Sequence, residues 1–204
     1  MARSNRTVLI GVGLAGLVGA ALIAPGRARS TAEQPEYELL DRLDDGVVVR
    51  HYGSRLAFET NAQGGGTDAA FRRLAGYIFG ANRGVGGEPE KIAMTVPVEV
   101  GPIGIGASQT MRFFAPARFT ATTLPKPQDA NVRVIERPAE TLAVKRFAGS
   151  STGRAAQRHR AELLDALAES RWAVDGDPFM FLYDAPWVPL PLRRSEIVVR
   201  VRAR

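Results

Sequence analysis

The chain has 204 residues, 45% of them hydrophobic, which gives room for one large globular domain or two small halves. It contains no cysteine, and this excludes disulfides, thiolate metal sites and a thiol nucleophile. The formal net charge is +6, but four arginines and no acidic residue fall within the first 30 residues, so the rest of the chain carries only +2. A charge this small does not predict nucleic-acid binding, which requires a dense basic face.

The first 30 residues have the layout of a targeting segment. A basic start, MARSNR, precedes an uncharged run from Val8 to Ala24, and the polar stretch PGRARSTAEQ follows with small residues suited to cleavage. This order is typical of a secretory signal peptide. The run is also just short of the usual membrane-spanning length, so an uncleaved anchor is the alternative. Both interpretations predict an exported protein, either periplasmic or anchored to the inner membrane.

Two stretches of the remaining chain align without a gap. One is YELLDRLDDGVVVRHY, from Tyr37, and the other is VRVIERPAETLAVKRF, from Val132. Each predicts two strands joined by a short turn, followed by a Gly-containing loop and a helical pattern. A repeat of this kind indicates two copies of one supersecondary unit.

Each copy continues with a helix. The first pattern, TDAAFRRLAGYIFG, places Phe71, Leu74, Ala75 and Ile78 on one face at the spacing i, i+3, i+4 and i+7. The second, GRAAQRHRAELLDALAES, has a stripe of alanine and leucine side chains. Both patterns therefore predict amphipathic helices, each with one face against a core.

Two further strand candidates follow each helix. They are KIAMTVPVEV and QTMRFFAP in the first half, and PFMFLYD and SEIVVRV in the second. Pro97 interrupts the first of these and predicts a strand end or bulge, because proline loses a ladder hydrogen bond. Few connections are long enough for parallel crossovers, which favours antiparallel pairing.

We therefore predict an α+β domain from about residue 36 to 201, with halves at roughly 36–120 and 130–201. The halves would be related by a pseudo-two-fold axis as tandem β-β-α-β-β repeats. Together they would form a distorted antiparallel β-barrel with two helices packed outside.

Four blocks of the sequence resemble those of the SOUL haem-binding family, in the same order: EKIAMTVPVEV, MRFFAP…TLPKPQD, VRVIERPAETLAVKRFAG and APWVPLPLRRSEIVV. The likeness spans roughly Tyr37 to Val201, and one departure is Ser195, where an asparagine is usual. The resemblance implies a tandem α+β barrel that binds haem or a related tetrapyrrole. It also implies an apolar haem patch beside the first helix.

On that implication, the candidate haem-binding residues are the face of the first helix, one methionine and one arginine: Phe71, Leu74, Ala75, Ile78, Met94 and Arg193. The small side chain of Ala75 would admit a flat ring, and the guanidinium of Arg193 would pair with haem propionates. A structural role stays open for each of them, because a stripe at helical spacing is usually core.

Iron ligation is the weakest part of this expectation. His51 and His159 are the only histidines, and both are expected at the surface. His51 aligns with Arg146 in the repeat, and His159 lies between two arginines. No metal ligand is therefore assigned, and we expect weak, non-covalent haem binding through apolar contact.

Two alternative functions stay open. The related GyrI-like domains bind small amphiphilic molecules with a glutamate in a central cavity, and Glu196 is the candidate for that position. A hydrolase using Glu196 as its base would need the carboxylate in a cavity with a raised pKa. No nucleophile with a supporting base, carboxylate pair or phosphate loop is found, so the sequence predicts no enzyme and no catalytic residue.

Overall fold

The structure is a computed structural model that describes residues 32–63, 65–103, 109–185 and 187–204. The predicted targeting segment, residues 1–30, lies outside these ranges. Within them, no helix is long and apolar enough to cross a bilayer.

The described strands are β1 (Glu38–Arg42), β2 (Val47–Tyr52), β3 (Arg55–Asn61), β4 (Asn82–Arg83), β5 (Val98–Gly101), β6 (Thr110–Phe114), β7 (Lys126–Pro127), β8 (Arg133–Arg137), β9 (Glu140–Ala148), β10 (Trp172–Val174), β11 (Phe179–Leu182) and β12 (Arg194–Ala203). The helices are α1 (Gly66–Ile78) and α2 (Gly153–Ala168). Both helices lie within two residues of the predicted positions.

The main sheet is antiparallel and has the order β1-β2-β9-β12-β11-β5-β6-β3-β8, with β10 added on β12. It curls into a half-barrel whose end strands are β1 and β8. The short strands β4 and β7 pair with each other apart from this sheet. The chain is thus an α+β protein with two helices and a curled antiparallel sheet, as predicted at this level.

Both helices pack on the same face of the sheet. α1 contacts β3 and β6, whereas α2 contacts β9, β10 and β12. Val100, in the core under α1, pairs directly with Met180, in the core under α2. Directly paired residues of neighbouring strands point to the same face. The opposite, concave face carries a third apolar cluster that includes Phe114, Phe181 and Val198.

The strand order corrects the alignment of the two halves. Outward from the central β5–β11 pair, β6 mirrors β12, β3 mirrors β9 and β2 mirrors β8. The stretches aligned at Tyr37 and Val132 would instead match β1 with β8, so that alignment joins strands in different positions. The strand order is compatible with two β-β-α-β-β units, but the pseudo-two-fold repeat itself stays a prediction.

Two strand predictions also need correction. The residues before α1, expected to form a loop, contain β3, which pairs with both β6 and β8. Within KIAMTVPVEV only the residues from Val98 onward form a strand, β5, although Thr95 makes an isolated bridge with Glu33. Pro97 directly precedes β5, in agreement with the predicted strand end.

Candidate functional site

The predicted haem residues on α1 divide into buried and accessible positions. Leu74 and Ile78 are 0% and 1% exposed, in the core cluster that also holds Phe113. Phe71 is partly buried at the edge of that cluster, with its ring 5.3 Å from the ring of Phe113. Ala75 is also half-buried. Leu74 and Ile78 therefore stabilise the fold and offer little surface to a ligand.

Two more apolar side chains, Phe79 and Met94, extend the accessible surface that Phe71 and Ala75 form on α1. Phe79 follows α1 directly and is 52% exposed. The amide of Ile92 donates a hydrogen bond to the carbonyl of Ile78 at 2.8 Å, which holds the segment carrying Met94 beside the end of α1. Met94 is partly buried against the same core. We call the four accessible residues the α1 patch: Phe71, Ala75, Phe79 and Met94.

Arg193 lies on another part of the molecule. It precedes β12, where its Nε donates to the carbonyl of Val188 at 2.6 Å. The turn just before it, Leu190–Leu192, contacts β9, whereas α1 packs on β3 and β6. Arg193 is thus separated in the fold from the other candidate residues. Phe79 is the patch residue that the sequence analysis missed, although it continues the i, i+4 spacing from Phe71 and Ala75.

The two histidines are less exposed than expected. His51, half-buried in β2, lies with its Nδ1 3.1 Å from the hydroxyl of Thr141 on β9. His159, in α2, stacks on Phe147 at 4.3 Å between ring centroids and pairs with Glu162 at 3.0 Å. Its side chain is 13% exposed, so the predicted solvated position was wrong. Both imidazoles belong to elements on the α2 side of the sheet.

Glu196 is sealed inside the half-barrel. Its side chain is 0% exposed, and both oxygens accept hydrogen bonds from buried or half-buried donors. Arg50 donates to both oxygens at 3.0 and 3.4 Å, Arg194 donates at 2.8 Å, and the hydroxyl of Tyr183 donates at 2.8 Å. Glu196 and Arg194 thus form an internal ion pair on the last strand.

The surroundings of Glu196 also shift the pKa values of its partners. Burial alone would lower the pKa of Arg50, but the charge of Glu196 and the hydrogen bonds of Arg50 to Glu196 and Tyr52 together outweigh this effect, and the net pKa is raised. Burial raises the pKa of Tyr183, and the Glu196 charge adds to the shift. Arg50 thus stays a cation and Tyr183 a hydrogen-bond donor, so the carboxylate of Glu196 is fully engaged and is a poor candidate for a general base.

A pocket of about 230 Å3 also opens on the concave face. Its lining combines strands β5, β6, β8, β9, β11 and β12 with the loop before β11, and Glu196 is not part of it. In the pocket lining, Arg137 forms ion pairs with Glu99 at 3.9 Å and with Glu140 at 2.8 Å. Burial opposes the charge on Arg137, but both carboxylates raise its pKa above the usual value.

One buried carboxylate oxygen in this pocket has no hydrogen-bond donor among the described residues. Glu99 is 1% exposed, and its Oε1 pairs with Arg112, whereas its Oε2 makes no hydrogen bond to the described residues. A buried acceptor without a donor is costly, at roughly 1–3 kcal/mol. A donor group on a small bound molecule, or a water, would remove that cost.

The two sites differ in how well they would fit a porphyrin. The pocket is smaller than the roughly 300–1,000 Å3 usual for drug-sized ligands and is lined by charged side chains. The α1 patch supplies aromatic, small and thioether side chains that suit one face of a flat apolar ring. No group of three or more histidine or acidic side chains in the described ranges is arranged to hold a metal ion.

Together, the fold and the α1 patch define a small α+β domain that presents a partly open apolar surface on one helix. The sequence model described as SOUL heme-binding protein matches residues 32–200. The chain therefore belongs to the SOUL family, as the sequence blocks predicted. No curated protein matches the chain.

Solved structures with a similar fold have little sequence in common with this chain. The C-terminal domain of EcmrR matches with a TM-score of 0.56 at 10% identity, over 82% of this chain and 99% of that one. EcmrR in a DNA complex matches at 0.56 and 10%, over 78% and 57%. A structure described as a hydrolase from Listeria innocua matches at 0.51 and 10%, over 87% and 97%. At this identity the likeness concerns the fold alone.

Proposed function

We propose that this protein binds haem or a related tetrapyrrole without covalent attachment, on the α1 patch, and has no enzymatic activity. One observation carries the proposal: Phe71, Ala75, Phe79 and Met94 stay accessible beside a fully packed core. Membership of the SOUL family supports the ligand class. The patch supports the place on the molecule.

The binding energy would come mainly from apolar contact. Burial of apolar surface contributes about 25 cal/mol per Å2, from which the costs of ordering and desolvation are subtracted. A porphyrin ring on the open α1 patch would bury only one of its two faces, so we expect a modest affinity for haem. The thioether sulfur of Met94 is the side-chain atom of the patch that could bind iron. The haem iron, when bound, would supply a Lewis-acid centre for this sulfur.

A titration of ferric haem followed by absorbance tests the proposal on the full chain in detergent. Ala75→Trp should weaken binding, because the indole would occupy the space of the ring. The matched control is Ala166→Trp, a half-buried alanine of α2. Loss of binding in Ala166→Trp with retention in Ala75→Trp would reject the α1 patch.

The same titration addresses the histidines. His51→Ala and His159→Ala should both retain haem binding, because both residues belong to the α2 side. Loss of the Soret band shift in His51→Ala alone would make His51 an iron ligand and overturn the proposed mode.

We further propose a role in the cell envelope, in transport, storage or scavenging. The support is the sequence of residues 1–30, with its basic start and the uncharged run from Val8 to Ala24. N-terminal sequencing of the mature protein distinguishes a cleaved signal from a retained anchor. Recovery of the intact chain in a soluble cytoplasmic fraction would reject both.

The concave pocket supports a second candidate function, the binding of a small polar or amphiphilic molecule. The specific observation is the unpartnered Oε2 of Glu99, which would accept a hydrogen bond from an ammonium or hydroxyl group. Butylammonium should raise the melting temperature of the parent and not of Glu99→Gln, whereas butyrate should leave the parent unchanged. Equal shifts in parent and variant would exclude the pocket. Glu196, with its acceptor oxygens occupied, gives no support to a hydrolase.

A further inference from the structure

The connection between β11 and β12 carries an unusual exposed apolar surface. Within residues 187–192, here called the Trp187 loop, Trp187 is 55% exposed, Leu190 48% and Leu192 63%. The loop contains no acidic residue, and Arg193 and Arg194 follow it. Clustered exposed apolar side chains mark interaction surfaces. Tryptophan and leucine beside basic residues are typical of the boundary between lipid headgroups and acyl chains.

This loop lies at the same end of the sheet as the point where the N-terminal segment enters the domain. The carbonyl of Glu33 accepts a hydrogen bond from the amide of Val96 at 3.0 Å. Two residues later Val98 pairs with Leu182, the last residue of β11. The Trp187 loop begins five residues beyond Leu182. The first described residues and the loop therefore lie at the same end of the central β5–β11 pair.

The tether between the apolar run and the domain is short. Eight residues separate Ala24 from Glu33. At roughly 3.3–3.6 Å per extended residue, these span at most about 30 Å, and less in any relaxed conformation. If Val8 to Ala24 occupies a bilayer, this end of the sheet must stay close to the lipid surface.

We propose that the Trp187 loop inserts into the headgroup region of the bilayer to which the N-terminal segment anchors the chain. The occupant of this apolar surface is lipid, because the loop itself carries no acidic residue, Arg193 follows it directly, and the membrane-directed segment enters the domain at the same end of the sheet. The proposal rests on the anchor interpretation of residues 1–30 and is independent of the ligand. Loop insertion would give the domain a fixed orientation, whereas a flexible tether alone would let it rotate.

The chain provides its own internal control, because it has two tryptophans. Trp172 is 7% exposed, and its Nε1 donates to Asp41 at 2.9 Å within the α2-side core. The full chain, reconstituted in phosphatidylcholine vesicles with or without brominated acyl chains, would be studied as Trp172→Phe and as Trp187→Phe. In Trp172→Phe the remaining Trp187 should show blue-shifted emission that the brominated lipid quenches. In Trp187→Phe the remaining Trp172 should not be quenched.

A second variant separates loop insertion from anchoring. Leu190→Ser with Leu192→Ser, made in the Trp172→Phe background, alters exposed side chains, so the fold should persist. It should reduce the quenching of Trp187 while the chain stays in the vesicle fraction and haem binding is unchanged. Equal Trp187 emission with plain and brominated lipid would overturn the proposal, as would failure of the full chain to join the vesicles. A concentration-dependent blue shift without vesicles would assign the loop to a second copy of the chain instead.

Discussion

The two helices pack on one face of one sheet but cover their cores to different extents. α2 buries Ala156, Leu163 and Leu167, and strand β10 closes the side of its cluster with Trp172. Around α1, the short strand β4 pairs only with β7. No strand of the main sheet closes that side in the described residues, so aromatic and thioether side chains remain accessible there. This difference in cover is the reason why we propose α1, and not α2, as the helix that faces a ligand.

The largest expected effect is the loss of stability when a buried leucine of either helix is shortened. Leu74→Ala in α1 and Leu163→Ala in α2 should each lower the free energy of unfolding by about 2–5 kcal/mol, because both side chains are 0% exposed. Urea unfolding monitored by circular dichroism measures both. Similar costs would show that the two buried stripes are equivalent. A loss below ~1 kcal/mol for Leu74→Ala alone would mean that α1 is not firmly packed.

A smaller effect is expected on haem affinity, which should depend on the accessible residues beside α1 and not on those beside α2. Phe79→Ser should weaken haem binding about tenfold, which is about 1.4 kcal/mol, because it removes apolar contact area from the α1 patch. Its effect on stability should stay within about 0.5 kcal/mol, since the side chain is half exposed. The control is Val174→Ser, at a 43% exposed position on the α2 side. Equal loss of haem affinity in both variants would remove the distinction between the helices.

The smallest expected effect is the stability contributed by the hydrogen bond between Trp172 and Asp41 on the α2 side. The hydrogen bond from Trp172 is the main cause that lowers the pKa of Asp41 below 3.8. A carboxyl group whose pKa is lower in the folded than in the unfolded state stabilises the protein above its unfolded pKa, and this contribution disappears as pH falls through the folded pKa. Asp41→Ala should therefore cost about 1 kcal/mol at pH 7. The difference from the parent should narrow below about pH 4; a constant difference down to pH 2 would contradict this assignment.

The sequence predicted those features that depend on local periodicity. The helices and their buried stripes follow from the 3.6-residue spacing, and β11 and β12 follow from runs of β-branched and aromatic residues. β3 was missed because Glu59, near its end, is a poor core residue by itself. It is buried only because Arg112 and Arg133, on the two neighbouring strands, pair with it. Such pairings join residues far apart in the chain and leave no local pattern.

The same reason explains why the sequence could not predict which candidate residues are buried. The spacing identified Phe71, Leu74, Ala75 and Ile78 as one face, but which of them the sheet covers depends on β3 and β6. The burial of His159 depends on Phe147, a residue of β9. The partners of Glu196 are Arg50 of β2, Tyr183, which directly follows β11, and Arg194 of β12, so its sealed position could not be predicted from the last strand alone.

The central claim is that haem lies on α1 and not in the concave pocket or beside α2. Nuclear magnetic resonance of the full chain in detergent tests it by comparing ferric protoporphyrin, which is paramagnetic, with diamagnetic gallium protoporphyrin. We predict that the ferric ligand selectively broadens the amide signals of Phe71 to Phe79 and the methyl signal of Met94, while the signals of α2 stay sharp. Broadening centred on the pocket residues Gly101 and Gly176, or on α2, would contradict the account.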